Sequence, residues 1–147
     1  MLAILQSLLS LLLLLAITAP STISDASADY TPGAASRVVS LTADMFHAVA
    51  KDDTTKHVFV KFYTPWCSHC KEVAPVWDRL SFRLQDRPDV IIAELNAEDN
   101  KFLAKEENAH GFPTFLYYTK QGKQGIPYKG QRTLEGFENF ARNIGHY

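Results

Sequence analysis

The sequence predicts an α/β domain, a central mixed β-sheet flanked by helices on both faces. Two observations point there. From Val38 onward, short β-branched and aromatic runs alternate with segments of helical spacing. Among them, His57-Val58-Phe59-Val60-Lys61-Phe62-Tyr63 is apolar on both faces apart from Lys61, the pattern of a central strand covered by helices on each side.

In chain order, Val38-Val39-Ser40-Leu41 is a short strand, and Thr42 is placed to cap a helix with Met45, Phe46, Val49 and Ala50 on its apolar face. After the 57–63 strand, Thr64-Pro65-Trp66 leads into a helix from Cys67 to Leu84, its apolar positions Val73, Val76, Trp77 and Leu80, with a kink predicted at Pro75. Val90 to Leu95 is the next strand, and Asn100 to Glu107 the next helix, with Phe102 and Leu103 as its apolar contacts. Thr114 to Tyr118 and Ile126 to Tyr128 read as a hairpin pair joined across Lys120 to Lys123. A last helix over about Leu134 to Asn143 presents Phe137, Phe140, Ala141 and Ile144 as one stripe.

The chain before Val38 is of another kind. Leu2 to Ala19 is almost wholly apolar and is followed by a small, polar stretch, so residues 1–28 read as a secretory signal, with Ala26-Ser27-Ala28 as one cleavage site and Ala19-Pro20-Ser21 as another. An uncleaved membrane anchor is the competing reading. Residues 29–37 read as a flexible lead-in, and 38–147 as one domain. Either form of leader places the domain in an oxidising compartment, where a Cys pair can cycle as a disulfide. No Lys-Asp-Glu-Leu address ends the sequence, so the endoplasmic reticulum lumen and secretion are both expected locations.

With 15 Lys+Arg against 16 Asp+Glu among 147 residues, the chain lacks the basic surplus of a nucleic-acid binder or polybasic membrane-surface protein. It has two cysteines, too few for a multi-bridge scaffold or a four-thiolate zinc site. His47, His57, His69, His110 and His146 are not spaced from them as in a finger or ribbon; no metal and no cofactor are expected.

Cys67-Ser68-His69-Cys70 falls where a buried strand hands over to a helix. Cys67 therefore meets the unpaired amides and positive dipole end of the helix start, which stabilise a thiolate. A protonated His69 between the sulfurs favours the reduced form further, and a stabilised reduced form means an oxidising disulfide. A purely structural disulfide would gain little from so small a loop.

Phe59-Val60-Lys61-Phe62-Tyr63-Thr64-Pro65-Trp66-Cys67-Ser68-His69-Cys70-Lys71, followed by Ala74-Pro75, resembles the active-site segment of a protein disulfide isomerase domain with the thioredoxin fold. The resemblance covers roughly Val38 to Ile144. It implies Cys67 as nucleophile and Cys70 as resolving thiol, the two forming the redox disulfide. Gly111-Phe112-Pro113-Thr114 resembles the family loop whose cis-proline faces the disulfide, which implies a cis Phe112-Pro113 bond and backbone pairing with extended client there. Tyr128 to Arg132 resembles the segment whose arginine swings toward the resolving cysteine, which assigns that role to Arg132.

Two positions depart from the family pattern. Ser68 stands where glycine is usual, and its hydroxyl is available to a sulfur. Lys61, six positions before Cys67, stands where a buried Glu usually relays a proton, while Glu94 occupies the position of the usual partner Lys. The charges are swapped. The expectation is a cross-strand Lys61–Glu94 pair beneath the cysteines, with Glu94 as proton acceptor or Lys61 relaying as an amine.

The resemblance implies a thiol-disulfide oxidoreductase, or protein disulfide isomerase, that forms, breaks or rearranges disulfides in client polypeptides. Its redox partner is glutathione or an upstream oxidase. Trp66, Tyr63, Phe112 and Tyr117 are candidates for an apolar rim around the site, and a monomer is expected. Two rival readings stay open: a thioredoxin-type reductase, and a redox-inactive client-binding module.

Overall fold

The computed structural model describes residues 35–122 and 124–144; the expected leader over 1–28 and the start of the lead-in lie outside them. The elements are β1 (Val39–Leu41), α1 (Ala43–Phe46), β2 (His57–Tyr63), α2 (Ser68–Arg83), β3 (Val90–Asn96), α3 (Lys101–Glu106), β4 (Thr114–Tyr118), β5 (Ile126–Pro127) and α4 (Leu134–Ile144). The strands form one sheet in the order β1-β3-β2-β4-β5, with β1, β3 and β2 parallel and β4 and β5 added antiparallel. β2 is central, as its two apolar faces require.

Alternation along β2 feeds two separate cores. Val58, Val60 and Phe62 join Phe46, Ala50, Leu95, Leu103 and Tyr118 on one face. Phe59 projects to the other, among Trp77, Leu80, Phe115, Tyr117, Phe137 and Ala141. Its ring lies 4.8 Å from that of Trp77 and 5.4 Å from that of Tyr117, both edge-on, the preferred aromatic geometry. Lys61 follows Phe59 on this second face, at the end of β2 nearer the cysteines.

Thr42 caps α1 as expected, its hydroxyl accepting from Met45 N at 3.3 Å. The helix then widens into π-helical turns over His47–Asp52, with Asp53 N reaching back to Ala48 O at 3.0 Å. Phe46 and Ala50 are buried, but Met45 is exposed, against the expectation that it shares their apolar face. α2 runs unbroken through Pro75, which forgoes only the bond its missing N–H would make. α3 is short and buries Leu103 and Ala104, leaving Phe102 76% exposed. Phe102 is therefore not the core contact the sequence suggested, because so brief a helix buries one narrow stripe. Arg142 of α4 ties that helix to the end of α2 through Asp86 and the Arg83 carbonyl, each at 3.0 Å.

Candidate active site

The junction between β2 and α2 positions the cysteines. Cys67 is the N-cap of α2, with extended backbone (φ -75, ψ 116), and its Sγ accepts from Cys70 N at 3.2 Å. A cap normally supplies an oxygen to the orphan amides of the first turn; here sulfur does so, in direct contact with the positive end of the helix. The Cys67 thiol also donates to the Phe112 carbonyl at 3.5 Å. The Phe112-Pro113 bond is cis, and the loop carrying it lies against Cys67 through this contact. Both cysteines are buried.

Cys70 sits deeper, and its thiol is pushed up to about 11, first by burial and then by its hydrogen bond with Cys67. The Thr64 backbone and the charge of Lys61 pull the other way. Lys61 is itself buried, and its Nζ lies 2.8 Å from Glu94 Oε2. The pairing follows from the sheet, since Lys61 and Glu94 are register neighbours on parallel strands. Ser40, opposite Glu94 on β1, donates to its other oxygen at 3.3 Å. Lys61 Nζ also stands 5.3 Å from the centre of the Tyr63 ring, a cation–π contact. The Tyr63 hydroxyl is pushed up by partial burial and by the charges of Glu94 and Asp99.

Trp66 is 68% exposed beside the motif. With Phe112 and residues of α3 it borders a groove of about 450 Å³ whose floor includes Ala97, Ala104 and Ala109. Among the described residues no cluster of His, Cys, Asp or Glu is arranged to hold a metal ion.

Known proteins resemble this chain in sequence and fold. The thioredoxin family model matches residues 37–143. The chain belongs to the thioredoxin family. Its thioredoxin domain is of the protein disulfide isomerase kind: it is 49% identical over 109 residues to human protein disulfide-isomerase A2, covering 74% of this chain and 20% of that protein. It is 42% identical over 101 residues to protein disulfide-isomerase of Gallus gallus, covering 68% and 19%. The chain thus spans about a fifth of the length of these relatives. Among solved structures, the first thioredoxin domain of mouse protein disulfide-isomerase A4 aligns with a TM-score of 0.64 at 30% identity, covering 72% of this chain and 74% of that one. The J-Trx1 fragment of ERdj5 aligns at 0.67 and 25% identity, covering 76% and 53%.

Against this thioredoxin frame the remaining candidates separate. Ser68 and His69 are exposed on the first turn of α2, and the Ser68 hydroxyl bonds neither sulfur, since this position turns outward. Arg132 is exposed and borders a shallow groove with Pro113, Thr114 and Tyr128; it makes no hydrogen bond or ion pair to the cysteine motif. Tyr117 does not belong to a rim. It is fully buried, its hydroxyl near the Ala141 carbonyl at 3.4 Å, because its place on β4 points it into the aromatic core under α4. Tyr63 is half-buried over Lys61.

Sequence reasoning missed two contributors. Ser40 holds Glu94, and the alternation of Val39-Ser40-Leu41 was the signal for it. Thr64 touches Cys70 through its backbone, while its own buried hydroxyl has no hydrogen-bond partner.

Proposed function

We propose that this protein is a thiol-disulfide oxidoreductase that forms, breaks or rearranges disulfides in client polypeptides. The observation that supports it best is the Cys67 sulfur, which caps α2 while lying against the Phe112 carbonyl of the cis-proline loop. In the oxidising direction, a client thiolate attacks Cys67 Sγ of the Cys67–Cys70 disulfide, and Cys70 leaves as a thiolate that takes up a proton. A second client thiolate then attacks the client sulfur of the mixed disulfide and expels Cys67. Two electrons pass from the client dithiol to the cysteine pair. In the reducing direction Cys67 attacks a client disulfide, and deprotonated Cys70 attacks Cys67 to release the client.

Cys70 must lose its proton to resolve the mixed disulfide, and burial opposes this. Lys61 favours the Cys70 thiolate by its charge. Glu94 pairs with Lys61 and accepts the released proton, its carboxylate being the part of the pair that reaches solvent. His69 stabilises the Cys67 thiolate when protonated, and Arg132 approaches Cys70 by swinging from its exposed position. Trp66 and Phe112 contact client chain. The protein works as a monomer in the endoplasmic reticulum lumen or after export, a reading that rests on the leader-like residues 1–28, and glutathione or an upstream oxidase restores its redox state.

The test is refolding of a reduced and scrambled client containing several disulfides. The parent protein accelerates recovery, Cys67→Ser abolishes it, and Cys70→Ala accumulates mixed disulfides. A parent that never forms a mixed disulfide would leave only the client-binding reading.

A further inference from the structure

Resting on that reading, the groove beside Cys67 supplies a preference among clients. Its floor is apolar and tight, formed by Ala97, Ala104 and Ala109, each no more than 4% exposed, with Trp66 and Phe112 bordering it. The charge along it is one-sided. Lys101 and Lys105 lie four residues apart on α3, so they share a helix face, and both line the groove and are exposed. Among the described residues neither makes an ion pair or a hydrogen bond through its ammonium group, although like charges at this spacing weaken a helix. Lys51, Lys61 and Lys120, by contrast, are paired with Glu107, Glu94 and Asp89. One carboxylate, Glu98, lines the groove against them.

We propose that this groove selects extended client segments in which carboxylates and an apolar side chain flank the reacting cysteine. The apolar side chain packs on the alanine floor beside Trp66. The carboxylates meet Lys101 and Lys105, which form no ion pair among the described residues. Because Cys67 Sγ touches the Phe112 carbonyl, and Phe112 borders the groove, a segment held there has its cysteine within reach of the nucleophile. Both cations are exposed, so the preference is a matter of steering and modest contact, sensitive to salt.

Three disulfide-linked peptides, identical except for Asp, Asn or Lys at the positions flanking one cysteine, test this. The measurement is kcat/KM for their reduction by the dithiol protein at low and high ionic strength. The Asp peptide is expected to be favoured over the Asn peptide by about three- to tenfold at low salt, the range of one to two exposed ion pairs, with the Lys peptide slowest. The spread should narrow at high salt, and the double variant Lys101→Glu, Lys105→Glu should invert the order of the Asp and Lys peptides. Reduction of all three at one rate, or an order unchanged by the double variant, overturns the preference and leaves the oxidoreductase reading standing. A parent that reduces none of them overturns both.

Discussion

Lys61 Nζ and Glu94 Oε2 stand 2.8 Å apart between register neighbours of two parallel central strands, the lysine side chain 4% exposed and the glutamate 24%. A buried ammonium that loses its paired carboxylate is costly, whereas removal of both charges in favour of apolar groups is often neutral. Glu94→Gln is therefore expected to lower stability by about 3 kcal/mol, the low end for a broken buried pair because Glu94 reaches solvent. Lys61→Met combined with Glu94→Leu should recover most of that loss in urea unfolding. Equal losses in the single and double variants would show that the ion pair itself stabilises the fold.

The same lysine acts on Cys70 through its charge. Without it the Cys70 thiol titrates higher and less thiolate is present near neutral pH, a loss that the greater nucleophilicity of a more basic thiolate offsets only in part. Lys61→Met is thus expected to slow resolution of a mixed disulfide, read by stopped-flow quenching, and to shift the rate–pH profile upward. An unchanged profile would remove Lys61 from the reaction.

Cys70, held at about 11 by burial first, is a poor nucleophile in the resting dithiol. Cys70→Ser, which leaves Cys67, should react with iodoacetamide at pH 8 much faster than Cys67→Ser, which leaves Cys70. Similar rates in the two variants would contradict the assignment of nucleophile and resolving thiol.

Much of the site was legible because its parts are local or fixed by strand register. The N-cap position of Cys67 follows from a strand ending at Tyr63 and a helix beginning at Ser68. The Lys61–Glu94 pair follows from parallel β2 and β3, since both residues break otherwise apolar strands. Burial of single aromatics was not legible. Tyr117 and Phe102 are alike as apolar residues in sequence, yet one is fully buried under α4 and the other is open to solvent on α3; tertiary packing decides between them. The groove was hidden for a related reason, as Trp66, Lys101 and Phe112 come from three separated segments.

Acid sensitivity should centre on the opposite end of β2. His57 is 5% exposed, and burial, then Lys120, pull its pKa below the ordinary 6.5 against the weaker raising effect of Asp89. The unfolded chain therefore binds this proton more readily, so stability attached to neutral His57 is present above about pH 6.5 and lost as pH falls below it. Asp89, held well below the carboxylate range by the Arg87 guanidinium at 3.0 and 3.2 Å, loses its contribution only below about pH 4. His57→Phe should shrink the stability difference between pH 7 and pH 5, measured by urea unfolding. A difference as large as the parent's would place the acid sensitivity elsewhere.

The equilibrium potential of the Cys67–Cys70 pair in glutathione buffers, followed by alkylation or by fluorescence of the exposed Trp66, tests the central claim most directly. On the proposed function, a value near about -180 mV, in the range of disulfide isomerases, is predicted. A value at or below about -270 mV, that of a reductant, would contradict the proposed role in forming and rearranging client disulfides.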